Sequence, residues 1–485
     1  MRLLIVGGGG FRVPLIYRAL TSGGYGGLVS SLVLYDVDPH RLDAVAAVLA
    51  GMPPGPGARL AVRCSTSLPE ALDGVDMVFA AIRPGGTSGR VLDEKVAAGL
   101  GLLGQETTGA GGISYALRTI PRMLELAALM KQRCPAAWLI NFTNPAGMVT
   151  EALRPVLGHK VIGICDSAGG LVLRAARAAG TPLAAGSLAG VGYHGLNHLG
   201  WLYRLAPGGT DVLPALLEDR EALQSFEEGR LFPQAFLAGL GAIPNEYLYY
   251  YYRHDAARLA IAARARTRGE DIHRQQQDLY PQLAVAGPDA FRLWEAARLA
   301  REEGYLAEAR SDGERRDEEG LAGGGYEQVA LAAMRALTGG GDTQLILNTV
   351  NTVPPVSGTA RSRVGQPDQL GHPATPAPAD PAPAEAAIPG LPADAVVELP
   401  CTVSAQGAVP LPQAAPPEPR LKLLREVKDV ERFTVRAATD GDREAALAAF
   451  AHHPLVASAD LAARLLAGYE QAFPDLGKMW RGSGR

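Results

Sequence analysis

The chain has 485 residues, of which 47% are hydrophobic and 20% are charged, and its formal net charge is -4. This composition is typical of a globular protein, and the length favours more than one domain. No basic stripe and no long uncharged apolar run is present, so we expect neither nucleic-acid binding nor association with a membrane.

The cysteines and the first residues indicate a reducing compartment. Cys64, Cys134, Cys165 and Cys401 are too few for a disulfide framework in so long a chain, and we expect free thiols. The first residues predict a buried strand that glycines interrupt too soon for a signal peptide. We therefore expect a cytoplasmic protein.

Short apolar runs alternate with helical patterns over the first 200 residues. This alternation predicts βαβ units and a parallel sheet, as in a Rossmann-like domain. The predicted strands are Leu3–Val6, Leu32–Tyr35, Met77–Ile82, Trp138–Asn141 and Val161–Cys165.

The pattern changes after about residue 200. Helices are predicted over 214–240, 255–310, 326–338 and most of the last 60 residues, with strands at Leu345–Leu347 and Val396–Leu399. Residues 353–387 are rich in Pro, Ala and Gly, and we expect a disordered surface insertion there. The chain thus reads as an α/β protein with a nucleotide-binding domain (1–195) and an α+β substrate domain (196–485).

A glycine run follows the first predicted strand and opens a helix. Gly7, Gly8, Gly9 and Gly10 would let backbone N–H groups approach a pyrophosphate, and the helix N-terminus adds partial positive charge. Asp36 ends the second strand, where it could accept a hydrogen bond from a ribose hydroxyl. These features predict a dinucleotide site; the alternative is a tight turn that only packs a helix on the sheet.

A cysteine and a histidine could form a metal site. Cys165 and Asp166 end an apolar strand, at the sheet edge where open α/β folds bind ligands, and His198 follows later. A thiolate and an imidazole can bind a divalent cation and leave positions open for substrate oxygens. On spacing alone, both side chains could equally be ordinary core residues.

Several blocks of sequence together carry a family resemblance. The blocks are Val6–Arg12, Ile82–Gly86 with Arg90, Asp93 and Glu94, Gly104–Gly109, Ala116–Pro121, Asn141–Gly147, Gly195–Leu199, Ile243–Asn245 with Tyr247 and Tyr250, and Ile388–Pro392 with Glu398 and Cys401. They span nearly the whole chain outside the insertion. In combination they resemble glycoside hydrolase family 4, the NAD- and metal-dependent glycosidases, and most closely its 6-phospho-β-glucosidases.

This resemblance implies a fold like that of lactate and malate dehydrogenases, an NAD cofactor and a divalent metal, expected to be Mn²⁺. It also implies cleavage by oxidation of sugar carbon 3, deprotonation of carbon 2 and elimination of the leaving group, in place of two hydrolytic carboxylates. We expect a homodimer or homotetramer that acts on a sugar or sugar phosphate.

The resemblance also implies roles for individual residues. Cys165 and His198 match the metal ligands, Tyr247 the base with Tyr250 as the alternative, and Asp166 an acid that would protonate the leaving group. Arg90, Asn144 and Glu106 match substrate contacts, although Arg90 could instead form a surface ion pair with Asp93 or Glu94. The expected cofactor contacts are Gly7, Gly8, Gly9, Gly10, Phe11, Arg12, Asp36, Ile82, Arg83, Asn141 and Asn144.

Two departures from the family pattern leave the substrate open. Asp166 stands where β-specific relatives carry Asn, so the anomer is undecided. Ala322 stands where relatives often carry a basic residue, which leaves a non-phosphorylated sugar or a glucuronide as alternatives to a 6-phosphate. The other functional hypotheses are an NAD-dependent 2-hydroxy-acid dehydrogenase, for which the Cys165/His198 pair has no use, and a non-catalytic protein that binds sugar phosphate or NAD.

Overall fold

A computed structural model describes residues 1–57, 59–310, 316, 325–353, 385–456 and 458–480. Most of the predicted insertion at 353–387, and Ala322, lie outside the described residues.

The strands of the described chain are β1 (Arg2–Val6), β2 (Ser31–Tyr35), β3 (Val62–Ser65), β4 (Met77–Ala80), β5 (Trp138–Asn141), β6 (Val161–Gly163), β7 (Val191–Leu196), β8 (Leu199–Leu205), β9 (Ile243–Pro244), β10 (Thr343–Val350), β11 (Val396–Ser404) and β12 (Gly407–Pro410). They form one mixed sheet in the order β3-β2-β1-β4-β5-β6-β10-β11-β7-β8-β9, with β12 paired to β11.

The first six strands are parallel, which confirms the predicted α/β class. Their carboxyl ends meet at one edge of the sheet, so the segments that follow β1, β2, β5 and β6 come together there. The central strand β1 is buried on both faces, with Leu3 and Ile5 in one hydrophobic core and Leu4 and Val6 in the other. This alternation lets one strand anchor both helical layers.

The remaining strands extend the same sheet. β10 pairs antiparallel with β6 through Asn348 and Gly163, and β11 pairs with β7 through Glu398 and Gly195. The predicted boundary between residues 195 and 196 therefore falls inside the β7–β8 hairpin, where the sheet continues without a break. The division into two domains stays a prediction.

Helices cover both faces of the sheet. They are α1 (Val13–Thr21), α2 (Pro39–Gly51), α3 (Leu68–Ala71), α4 (Gly86–Gly99), α5 (Ala110–Arg133), α6 (Ala146–Leu157), α7 (Ser167–Ala178), α8 (Leu213–Glu218), α9 (Arg220–Gln224), α10 (Glu227–Leu231), α11 (Gln234–Leu240), α12 (Tyr249–Tyr252), α13 (His254–Ala262), α14 (Arg268–Val285), α15 (Ala290–Glu303), α16 (Tyr326–Leu337), α17 (Glu418–Asp440), α18 (Arg443–His452), α19 (Ala459–Ala472) and α20 (Pro474–Met479). Short 3₁₀ turns occur at Gly158–Lys160, Glu246–Leu248, Gly287–Asp289 and Ala307–Ala309.

Two predicted helical stretches are broken into shorter helices. The stretch 255–310 contains α13, α14 and α15, because the Thr267 hydroxyl and the Glu270 carboxylate form a capping box that starts a new helix. The stretch 214–240 is divided among α8 to α11. Among the described helices, none is long and apolar enough to cross a membrane.

Candidate active site

A cavity of about 1270 Å³ opens at the carboxyl edge of the parallel strands and is closed by segments from the second half of the chain. Most of the predicted site residues line it: Gly7, Gly10, Phe11, Arg12, Asp36, Ile82, Arg83, Arg90, Glu106, Asn144, Cys165, Asp166, His198 and Tyr247. Gly8, Gly9 and Asn141 are not among its lining residues. One cavity thus combines the predicted nucleotide, metal and sugar contacts.

The glycine turn after β1 is built for close packing. Gly7 has a φ of +94°, and a Cβ there would lie 2.5 Å from the carbonyl oxygen of Ala81, which directly follows the neighbouring strand β4. A Cβ on Gly9 would lie 2.6 Å from the Cβ of Arg41, so Gly9 packs beneath the turn instead of facing the cavity. Any other residue at either position would displace backbone.

Asp36 anchors this turn from the end of β2. Its Oδ2 accepts a hydrogen bond from the Gly9 N–H at 3.0 Å, and its Oδ1 accepts one from the Asp38 N–H at 3.2 Å. Burial raises the pKa of Asp36, and the two backbone donors oppose that rise. Each oxygen keeps acceptor capacity, and the carboxylate lines the cavity, so it can still accept from a ribose hydroxyl.

Asn141 supports the next loop without reaching the cavity. Its Oδ1 accepts from the Thr143 N–H at 3.0 Å, and its Nδ2 donates to Thr150 Oγ1 at 3.2 Å. The side chain of Asn141 is used within the loop, which points to an indirect role, and its predicted contact with the cofactor stays a prediction. That loop presents Asn144, which lines the cavity and whose buried Oδ1 has no partner among the described residues.

Cys165 and His198 reach the same cavity from different strands. Cys165 follows β6 and precedes α7, whereas His198 lies in the two-residue turn of the β7–β8 hairpin. His198 has a φ of +64°, in the left-handed region that residues other than glycine adopt rarely. Its ring makes no hydrogen bond to any residue that the structure describes, so its nitrogens are free to bind a ligand.

The protonation states of this pair fit a cation site. Burial lowers the pKa of His198 to about 4, which keeps the imidazole neutral and able to donate a lone pair. Burial, with the nearby Glu398 and Asp166 carboxylates, raises the pKa of Cys165, and a bound cation would reverse that rise. Within the described ranges, no three His, Cys, Asp or Glu side chains cluster to enclose a metal. Two protein donors beside an open cavity would leave coordination positions for substrate oxygens.

Tyr247 lies against the predicted metal site, and Tyr250 does not. Burial, with the neighbouring Glu246, raises the pKa of Tyr247, so a tyrosinate there requires a nearby positive charge. Tyr250 instead donates a hydrogen bond to Glu308 Oε1 at 2.6 Å and is absent from the cavity lining. Geometry therefore favours Tyr247 over Tyr250 as the base.

Arg90 and Glu106 belong to a buried network of charges. Arg90 Nε donates to Glu94 Oε1 at 2.9 Å, and Arg90 Nη1 lies 2.6 Å from Glu106 Oε1. Glu106 also pairs with Arg83. Burial works against the charged form of Glu106, but Arg83 and Arg90 outweigh it and lower its pKa to about 2. The alternative of an ion pair between Arg90 and Glu94 is confirmed. The prediction that this pair lies at the surface is wrong, because α4 packs beneath the cavity and buries both side chains.

Two arginines that the sequence motifs do not single out give the cavity positive charge that no described carboxylate pairs with. Arg268 begins α14 and Arg301 lies near the end of α15, and both line the cavity. No carboxylate of the described residues lies within ion-pair distance of either guanidinium, and the buried Arg301 Nε lacks a partner. Burial, Arg12 and Arg268 lower the pKa of Arg301 to about 9. This arrangement is suited to an anionic ligand.

Three further lining residues also escaped the sequence motifs: Ser167, Glu246 and Tyr305. Ser167 Oγ donates to Glu246 Oε1 at 2.6 Å, and the Tyr305 hydroxyl donates to the same oxygen at 3.3 Å. In the sequence, the one indication that Glu246 belongs to the site is its position directly before Tyr247.

Comparisons with known proteins agree with this geometry. The model of the family 4 glycosyl hydrolases matches residues 3–180, and that of the family 4 C-terminal domain matches residues 193–354 and 382–456. A probable 6-phospho-beta-glucosidase of Bacillus subtilis is 26% identical over 478 residues, which are 96% of this chain and 95% of that protein. A 6-phospho-alpha-glucosidase of Lacticaseibacillus paracasei is 34% identical over 264 residues, which are 51% of this chain and 59% of that protein.

A solved structure extends the similarity to three dimensions. The 6-phospho-beta glucosidase from Thermotoga maritima, determined with manganese, NAD⁺ and glucose-6-phosphate, matches with a TM-score of 0.75 and 25% identity over 98% of this chain and 99% of that one. The family models cover both halves of the chain, so the resemblance is confirmed and the dehydrogenase hypothesis loses its support. The chain belongs to family 4 of the glycosyl hydrolases.

Proposed function

We propose that the protein hydrolyses a 6-phosphorylated glycoside by the redox-assisted elimination of its family. The observation that carries this proposal is a single cavity that contains the glycine turn with Asp36, the Cys165/His198 pair and the unmatched Arg268 and Arg301. Relatives named as 6-phospho-glucosidases, and a solved relative with NAD⁺, manganese and glucose-6-phosphate, support the same reading.

The chain's own residues divide into a nucleotide end and a sugar end. Asp36 and the glycine turn would bind NAD, while Cys165 and His198 would hold a divalent cation such as Mn²⁺. When bound, these groups supply a hydride acceptor and donor and a Lewis acid for sugar oxygens. Tyr247 would take the proton from carbon 2 of the sugar, and Asn144 Oδ1 would accept a hydrogen bond from a sugar hydroxyl.

The anionic part of the substrate is best matched by Arg268 and Arg301. Arg90 already pairs with Glu94 and Glu106, so its charge is compensated within the protein. The guanidinium groups of Arg268 and Arg301 lack such carboxylate partners among the described residues, and a phosphate would neutralise them. Arg90 and Glu106 then line this subsite, and Arg90 holds the Glu106 carboxylate in position.

A matched substrate screen tests the proposal. Nitrophenyl α- and β-glucosides, each with and without a 6-phosphate, would be assayed with NAD⁺, Mn²⁺ and a thiol reductant. We expect turnover of a phosphorylated glucoside alone, lost on chelation or omission of NAD⁺. Turnover of a non-phosphorylated glucoside or a glucuronide would contradict the phosphate assignment, and turnover in chelator without NAD⁺ would contradict the mechanism.

The same screen separates the remaining hypotheses. Tight binding of a sugar phosphate without turnover of any glycoside would favour the non-catalytic alternative. A preference for the α-anomer would support Asp166 as the acid, because the family resemblance implies an acidic residue at this position in relatives that act on α-glycosides. A homodimeric or homotetrameric assembly stays a prediction, as does the cytoplasmic location inferred from the cysteines and the first residues.

A further inference from the structure

Glu246 is a buried acid in the cavity to which no role has been assigned. It opens the 3₁₀ turn after β9, directly before Tyr247, and only 5% of its surface is exposed. It lines the cavity together with Cys165 and Asp166. A carboxyl group in such a place is held there against a desolvation cost, so its hydrogen bonds decide which form is stable.

The two oxygens of Glu246 are in different surroundings. Oε1 accepts hydrogen bonds from Ser167 and Tyr305, whereas Oε2 is buried and has no partner among the described residues. An ionised carboxylate would leave Oε2 as an unsatisfied buried acceptor. A protonated acid with its hydrogen on Oε2 keeps Oε1 as the acceptor and leaves one donor that no described residue accepts.

The charges around Glu246 also favour the protonated form. Burial and the Glu228 carboxylate raise the pKa of Glu246 to about 8, against the Ser167 hydrogen bond and Arg174, which lower it, while Glu227 adds to the rise. Arg174 contributes little compensation because its Nε already donates to Glu228 Oε2 at 3.1 Å. Glu227 is likewise paired, with Arg316 at 2.9 Å.

We propose that Glu246 is a further catalytic residue, the proton donor to the glycosidic oxygen of the leaving group. This inference rests on the proposed function. As the bond from sugar carbon 1 breaks, its electron pair passes to the glycosidic oxygen, which takes the proton from Oε2. The resulting carboxylate then removes a proton from the water that adds at carbon 1, and Tyr247 returns its proton to carbon 2. The cycle needs no reactant other than water and restores both side chains.

Asp166, the acid implied by the family resemblance, is the competing donor. It is partly exposed, and its Oδ1 lies 4.0 Å from the Cys165 sulfur, beside the predicted metal site. Glu246 belongs to the second half of the sequence, directly before the base, and is the more buried of the two. If Glu246 is the donor, the rate of the Glu246 variant depends on the leaving group. If Asp166 is the donor, the rate of the Asp166 variant does.

The test compares Glu246→Gln and Asp166→Asn on two phosphorylated glucosides, one with methoxide and one with 2,4-dinitrophenolate as the leaving group. Dinitrophenolate departs without a proton, so loss of the donor should slow release of the leaving group only for the methyl glucoside; water addition, which also uses Glu246, follows that release and is common to both substrates. For Glu246→Gln we expect the single-turnover rate of leaving-group release from the methyl glucoside to fall by about 10²–10⁴-fold, with much less change for the dinitrophenyl glucoside. Glu221→Gln, the same change at an exposed position, serves as the control and should match wild type on both.

Other outcomes would overturn the assignment. An equal fall on both substrates, or a leaving-group effect confined to Asp166→Asn, would remove Glu246 as the donor. NAD titration of each variant monitors the folded state. If Glu246→Gln does not fold, Ser167→Ala retains the carboxyl group, loosens its position and should still slow the methyl glucoside selectively; uniform rates would count against the donor role. Absence of wild-type turnover on every glycoside would instead overturn the proposed function itself.

Discussion

The imidazole ring of His198 stacks on the phenol ring of Tyr247, with centroids 3.7 Å apart and 6° between the ring planes. His198 lies in the turn between β7 and β8, and Tyr247 follows β9, which pairs with β8 through Trp201 and Pro244. The sheet therefore fixes the position of the predicted base relative to the predicted metal ligand. A cation at His198 would lie near the Tyr247 hydroxyl and favour its ionised form.

Loss of either predicted metal ligand should abolish turnover and spare the nucleotide site. We expect Cys165→Ser and His198→Ala to be inactive in the phosphoglucoside assay, because each leaves one protein donor for the cation. NAD affinity should stay near that of wild type, since the glycine turn lies on a different strand. Fluorescence titration with NAD measures this, and the exposed Cys64→Ser is the control. Either variant retaining wild-type rates in the presence of chelator would refute the metal assignment.

Substitution of Tyr247, which stacks on His198, and substitution of its neighbour Tyr250 should have different effects on turnover. Tyr247→Phe removes the predicted base, and we expect kcat to fall by about 10²–10⁴-fold. Exchange of the carbon 2 hydrogen with deuterated solvent should be lost with it. Tyr250→Phe removes only the hydrogen bond to Glu308 outside the cavity and should retain both exchange and turnover. Loss of exchange in the Tyr250 variant instead would move the base to that residue.

Five of the six parallel strands were predicted from the sequence because they are short apolar runs between helices, whereas β3, with Val62, Arg63 and Cys64 exposed, lacks that signal and was not predicted. The antiparallel strands β7 and β8 were not predicted. β7 is buried at every position, so it lacks the alternation that marks a strand with one exposed face. Its glycines also weaken any local preference for a strand.

The site was predictable only where local motifs carry it. The glycine turn, Cys165 and His198 stand in recognisable segments, and the structure brings them to one cavity. Arg301 and Tyr305 come from α15 and the segment after it, within ordinary helical sequence, and only the packing of α14 and α15 over the sheet edge places them there. No pattern in one sequence encodes that long-range proximity.

Removal of the unmatched arginines should weaken binding of phosphorylated substrates. We expect Arg268→Gln and Arg301→Gln each to raise KM by about 10- to 100-fold, which corresponds to the loss of one hydrogen bond to a charged group. Arg292→Gln, at an exposed position on the same helix as Arg301, should have no effect. The measurement is KM for the phosphorylated nitrophenyl glucoside. An unchanged KM in both cavity variants would place the phosphate elsewhere.

Glu106 should make a stabilising contribution that disappears in acid. Its pKa in the folded state is lowered to about 2, below the ordinary value of 4.5, so its contribution is present above pH 4.5 and is lost as pH falls towards 2. Chemical denaturation of wild type and Glu106→Gln across this interval measures the difference. The stability advantage of wild type should shrink by an amount on the order of 2–3 kcal/mol. A constant difference across the interval would show that the Arg83 and Arg90 pairs do not stabilise the charged form.

Behind the site, Glu398 holds the turn that carries His198. Its Oε1 accepts from Asn197 Nδ2 at 3.3 Å and from Asn348 Nδ2 at 3.2 Å, and its Oε2 accepts from the Tyr193 hydroxyl at 2.9 Å. Asn197 in turn accepts a hydrogen bond from the backbone N–H of Ala146, in the segment that follows Asn144. Glu398 is therefore a positioning residue for His198 and for the Asn144 loop.

This arrangement predicts that Glu398→Ala and Glu398→Gln differ in metal affinity. Alanine removes the acceptor for Asn197 in the turn and for Asn348 and Tyr193 beside it, and we expect Mn²⁺ affinity to fall by about 10- to 100-fold while NAD affinity is unchanged. Glutamine keeps an acceptor for the two amides, and its neutral side chain no longer raises the pKa of Cys165, so Mn²⁺ affinity should equal or exceed that of wild type. Titration of Mn²⁺ by calorimetry measures both. If glutamine weakened binding as much as alanine, the charge of Glu398 would matter to the site and its hydrogen bonds would not.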